Sequence, residues 1–185
     1  STIADLAHFR AQGWDIDLFA HVRRGGRVLG ICGGYQMLGR KIIDRDGIEG
    51  APSEVDGLGL LDVVTEMRPE KRLSLTNAVH PASGEAVEGY EIHIGVTEGP
   101  DRDRAWLAVD GRGEGAQSAD GRVQGCYLHG LFGADGFRRA YIEALAGRAI
   151  TATTYGAGVE AALDDLAAHI ETHLDVDALL AMSGA

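Results

Sequence analysis

Cys32 stands between a short apolar run, Val28 to Ile31, and a glycine-rich amphipathic stretch that opens with Gly33 and Gly34. The run reads as a buried strand, the stretch from Tyr35 to Ile43 reads as a helix, and the two glycines permit a tight reversal between them. A cysteine on such an elbow has an exposed sulfur, and the backbone N–H groups after it face whatever the sulfur attacks. A helix N-terminus also favours negative charge, which predicts a lowered thiol pKa and a seat for an oxyanion. The chemistry implied is thiolate attack. Cys126 lies in the strand-like segment Arg122 to Leu128, with no glycine elbow after it, and reads as a small hydrophobe in or near the core.

A nucleophilic thiol needs a group that accepts its proton and later delivers one to the leaving amine, and histidine is suited to that near neutral pH. Seven histidines are available. His8, His21, His169 and His173 lie on helix-like polar segments and read as solvated, and His80 precedes Pro81 in a turn. His129 follows an apolar run and precedes Gly130, at the end of a strand, where open α/β sheets collect catalytic groups. Glu91 and His93 share one face of another strand by the period of two, which suits a ligand clamp, a salt bridge or an orienting pair. His80, Glu91, His93 and His129 lack compact metal-ligand spacing, so no metal is expected.

The elements that must position these groups follow from periodicity. Two short helices are predicted over 2–22, broken at Gly13, then a strand over 27–31 and the helix after Cys32, closing near Asp46-Gly47. Residues 44–57 read as a polar loop. The middle third carries strand-like runs from Leu58, Arg72 and Val87, then Trp106 to Asp110 and Gly121 to Leu128. Helices are predicted over 132–145 and 159–174. The fold class expected is α/β, a three-layer domain with a strand-rich insertion. At 185 residues the chain suffices for one domain with a real core. Its net charge of −11 argues against nucleic acid. No apolar run approaches a membrane span and no signal-peptide layout opens the chain, so a cytoplasmic protein with reduced thiols is expected.

Gly30-Ile-Cys-Gly-Gly-Tyr-Gln36 resembles the G-x-C-x-G-x-Q nucleophile motif of the class I glutamine amidotransferases. With Gly89-Tyr-Glu-Ile-His-Ile-Gly95 and Gly125-Cys-Tyr-Leu-His-Gly-Leu-Phe132, most of the chain is similar to the CobB/CobQ branch, which acts in the cobalamin pathway. The resemblance implies a flavodoxin-like glutaminase domain over 1–185, in which Cys32 attacks the glutamine carboxamide and His129 serves as acid and base. The Gly33 N–H would supply part of an oxyanion hole and Gln36 would help to place glutamine. It further implies a partner synthetase domain that uses ATP and magnesium to amidate corrinoid carboxylates, with no cofactor in this chain.

Two departures stand out. Many members of the class carry a glutamate two residues after the catalytic histidine, and here that position is Leu131, so Glu91 or an acid from a partner domain would orient His129. No phosphate-binding loop is present, and Ser1 aligns just downstream of the glycine loop that would complete the oxyanion hole, so the first strands and the synthetase domain are expected to be missing. A related amidotransferase acting on a cell-wall lipid precursor, or a non-catalytic module that binds a synthetase, are the alternative readings.

Overall fold

The computed structural model describes residues 1–70, 72–151 and 154–183. Helix α1 (Thr2–Ala11) opens with the Ser1 side chain accepting the Ala4 N–H, and α2 (Trp14–Arg23) follows after Gly13, which takes positive φ. Strand β1 (Val28–Ile31) runs into α3 (Gly33–Leu38), six residues long. The helix expected to continue to Ile43 ends early because Gly39 adopts extended backbone. Lys41–Asp44 becomes strand β2 instead, with Ile42 and Asp44 pointing inward, a better use of two adjacent β-branched residues than a helix offers.

β2 is flanked by β3 (Ser53–Asp56), antiparallel, and β4 (Val64–Glu66), parallel, and β7 (Val96–Glu98) completes this four-stranded sheet beside β4. The polar loop expected over 44–57 therefore shortens to make room for β3. Its start is pinned by the fully buried Asp44 carboxylate, which accepts the N–H groups of Ile48 at 2.8 Å and Glu49 at 2.9 Å.

The strand-rich part is built on a long hairpin, β5 (Arg72–His80) with β6 (Glu85–His93). On one side β5 pairs with β8 (Leu107–Val109), which pairs with β9 (Arg112–Glu114); on the other β6 pairs with β12 (Leu128–His129). A third sheet joins β1 in parallel to β11 (Val123–Cys126), with β10 (Ala116–Gln117) antiparallel on the far edge of β11. Helix α4 (Asp135–Ala146) covers the hairpin, and α5 (Tyr155–His173) and α6 (Val176–Ser183) follow with no buried residue. The mixed α/β class is as expected. β9, β10 and α6 were not legible in the sequence, being two or three residues long or outside the periodic stretch.

Two cores result. Leu6, Tyr35, Leu38, Ile42, Val63, Val123 and Tyr127 fill the first, under the N-terminal helices; Val87, Trp106, Leu107, Cys126, Leu128 and Phe137 fill the second, under α4. The seam runs through three consecutive residues. Cys126 and Leu128 point into the second core and Tyr127 into the first, where the chain leaves one sheet for another.

Candidate active site

Cys32 closes the ladder between β1 and β11 by donating its N–H to the Cys126 carbonyl at 2.9 Å, then turns sharply into α3 with φ +55° and ψ −115°. A non-glycine residue held there stores backbone strain, which the surrounding structure must impose. Gly30 allows the turn: a Cβ at that position would lie 2.6 Å from Leu38 Cδ1 and 2.7 Å from the Gly34 backbone, so only glycine lets α3 lie this close to β1. The Cys32 thiol is half-buried and faces the Ile92 carbonyl at 3.5 Å.

The direction of its pKa differs from expectation. Burial pushes the Cys32 thiol up, the Gly33 N–H opposes that, and the Glu49 carboxylate adds to the rise. A six-residue helix aligns too few peptide dipoles to outweigh desolvation. At neutral pH the resting sulfur is therefore protonated and needs a base.

His129 ends β12, and its ring stacks on Tyr90 with centroids 5.1 Å apart and planes 8° from parallel. Its Nε2 is buried and has no hydrogen-bond partner among the described residues. Strand β6 links the two groups: Cys32 faces Ile92, while His129 lies opposite Tyr90, two residues earlier on the same strand, roughly 7 Å along it. No hydrogen bond joins Cys32 to His129 among the described residues. Such bonds are commonly loose before a ligand binds. An open groove of about 580 Å³, lined by Leu75, Thr76, Tyr90 and Gly130, lies along this edge.

Gln36 is placed differently from a ligand contact. It is 3 % exposed, its Oε1 accepts from Thr2 Oγ1 at 2.9 Å, and its Nε2 donates to the Ile94 carbonyl at 3.0 Å and to Tyr127 Oη at 3.2 Å. Its amide thus ties α1, the end of β6 and the seam together. Gly33 sits at the first turn of α3 with its N–H toward the Cys32 sulfur, as an oxyanion donor requires.

Glu91 and His93 do share a face, as the alternation predicts, and both line a cavity of about 240 Å³ with Tyr35, Arg112, Glu114 and Tyr127. His93 stacks on Tyr127 at 3.7 Å. The proposal that Glu91 orients His129 fails on register. Leu128 lies opposite Glu91 and His129 opposite Tyr90, so the carboxylate and the imidazole leave the sheet on opposite sides. Glu91 Oε1 instead accepts from Arg112 at 3.2 Å. His80, dismissed as a turn residue, is a nearly buried member of the second core, packed edge-on against Trp106 and Phe137 and bonded to Ser83 Oγ at 2.8 Å. Cys126 is fully buried, which pushes its thiol up to about 12.

Sequence reasoning missed Glu49, Arg112 and Glu114. Each lies in a polar or glycine-rich segment where a carboxylate or guanidinium reads as solvated, and only the three-dimensional crossing of strands buries Glu114 to 5 % exposure.

Comparisons with known proteins identify the family. A family model described as the CobB/CobQ-like glutamine amidotransferase domain matches residues 1–137. Proteins named cobyric acid synthase are similar over 99 % of the chain: that of Rhodobacter capsulatus is 64 % identical over 183 residues, that of Cereibacter sphaeroides 63 % over 183, and that of Bradyrhizobium diazoefficiens 58 % over 186. The chain spans 38 % of the length of each of these relatives. Among solved structures, PurLQS from Thermotoga maritima superposes with a TM-score of 0.51 at 16 % identity, covering 71 % of this chain and 68 % of that one, a likeness of fold. Among the described residues no helix is long and apolar enough to cross a membrane. The matched model, which spans residues 1–137, shows that the chain belongs to the CobB/CobQ-like glutamine amidotransferase domain family.

Proposed function

We propose that this chain hydrolyses glutamine to supply ammonia. Cys32 Sγ gives its proton to His129 and attacks the side-chain carboxamide carbon, and the oxyanion that forms is met by the Gly33 N–H. His129 returns the proton to the leaving nitrogen, ammonia departs, and a γ-glutamyl thioester remains. Water, deprotonated by His129, then breaks the thioester and releases glutamate with the thiol restored. The observation that carries this reading is the strained backbone of Cys32, which holds a half-buried thiol beside the Gly33 N–H.

The relatives' name supports a further step, in which the ammonia serves ATP-dependent, magnesium-assisted amidation of corrinoid carboxylates by a synthetase region in the longer protein. On this reading residues 1–185 are the glutaminase unit of that protein, working in the cytoplasm, where its two free thiols stay reduced. The exposed Leu73, Leu75 and Tyr90 beside His129 give such a region an apolar surface to cover.

A glutamine-mimicking electrophile tests the glutaminase reading. Selective labelling of Cys32 over Cys126, blocked by excess glutamine, is expected; equal labelling of both, or no protection, defeats it.

A further inference from the structure

Two strands change sheets at the same place. β9 leaves the hairpin sheet through Gly115 to become β10 beside β11, and β11 leaves through Tyr127 to become β12 beside β6. The crossings touch: a Cβ on Gly115 would lie 2.2 Å from the Gly125 carbonyl and 3.1 Å from Cys126 Cβ. At its crossing Tyr127 is in neither ladder, so its N–H is a buried donor with no strand partner, a costly state unless something accepts it. Glu114, the last residue of β9, does so with Oε1 at 2.8 Å. Its other oxygen lies 3.8 Å from Arg112, whose second nitrogen reaches Glu91 on β6. One guanidinium thus joins the carboxylate that holds Tyr127 to the strand against which His129 is paired.

We infer that Glu114, steadied by Arg112, is a positioning residue for His129: its carboxylate seats the crossing two residues ahead of the imidazole and so fixes where β12 presents the ring to Cys32. The inference rests on the glutaminase reading for its kinetic consequence, but its structural content is independent. Burial raises the Glu114 pKa while the Tyr127 N–H opposes the rise, and either protonation state keeps an oxygen able to accept that bond. The acceptor matters more than the charge.

Three variants of the whole chain test this. Glu114→Ala removes the acceptor and is expected to lower kcat for glutamine hydrolysis by about 30-fold with KM within about threefold, the pattern of a misplaced catalytic group. Glu114→Gln keeps an amide oxygen in place and is expected to stay within about fivefold of the parent kcat. Equal loss in both variants, parent-like turnover in Glu114→Ala, or a change confined to KM overturns the proposal. If Glu114→Ala does not fold, Arg112→Gln takes its place, with a kcat loss of about tenfold at unchanged KM expected and parent-like kcat as the refuting result. Should this chain by itself not turn over glutamine, the glutaminase reading is judged by the electrophile labelling of Cys32 instead, so its failure stays distinct from that of the positioning claim. The positioning claim is then read from the His129 ring nitrogens by NMR: Glu114→Ala must shift them and Glu114→Gln must not. An unmoved signal in Glu114→Ala refutes it.

Discussion

β1 and β11 run side by side, in parallel, with Ile31 opposite Cys126, and both end abruptly, but by different means. β1 ends on residues that are its own neighbours in sequence. Gly30 admits the helix, Cys32 takes the strained turn, and Gly33 starts α3, all within four positions. β11 ends on residues from far away. Tyr127 is held by Glu114, Gln36 and Thr97, and the strand it leads into is paired with β6. On the proposed glutaminase reading, the first exit carries the nucleophile and the second its base. A reactive atom can thus be set by local chain geometry, whereas a proton carrier that must meet it is set by the assembled fold.

The sharpest way to break this comparison is to exchange the two cysteines' burdens. Cys32→Ser is expected to reduce glutamine hydrolysis by more than about 10³-fold with the melting temperature nearly unchanged. Cys126→Ala is expected to keep turnover within a few-fold and to cost about 1 kcal/mol in denaturant unfolding. Reversal of that pattern would place the chemistry at the wrong strand end. Gly30→Ala tests whether the local exit tolerates any bulk: the added methyl group meets Leu38 and the Gly34 backbone below 3 Å, and a loss of roughly 2 kcal/mol in the same unfolding measurement is expected.

A gentler test uses pH. Because burial holds the Cys32 thiol above its ordinary value of 9.0, its alkylation by iodoacetamide in the absence of glutamine should still be climbing at pH 9. A plateau near pH 7 would show that the helix terminus prevails. The smallest effect concerns His80, whose burial lowers its pKa from 6.5. Its unfolded form takes up a proton near pH 6.5 and its folded form only below that, so the stability it contributes is complete above pH 6.5 and declines as the pH falls towards the folded value. The melting temperature should therefore drop less between pH 7 and 5 in His80→Gln than in the parent.

What the sequence disclosed follows the same division. Val28 to Ile31, Gly33 and Cys32 announce strand, turn and a thiol on the elbow because each acts on its immediate neighbours. The break at Gly13 and the hairpin strands of the middle third were readable for the same reason. The overlong helix to Ile43 arose because Gly39 acts through its ψ, which helical periodicity does not register. The faces of Glu91 and His93 follow from alternation, but the relation of Glu91 to His129 depends on which residue of β12 lies opposite it, and a single-residue change of register reverses the answer. Gln36 looked like a ligand contact from its place in the motif, yet its three partners lie 34, 58 and 91 positions away. Arg112 and Glu114 gave no signal, since burial by crossing strands has no period.

The seam at Cys126, Tyr127 and Leu128 also limits how this domain can be taken apart. A graft of residues 28–39 onto another scaffold would carry a sulfur on its bent backbone and nothing to relieve it of a proton. The smallest portable unit runs from the first strand through the strand-end imidazole, with the intervening hairpin sheet included, because the acid that seats that imidazole arrives on β9, at that sheet's far edge. Recombination breakpoints inside this span should yield folded but silent chimeras.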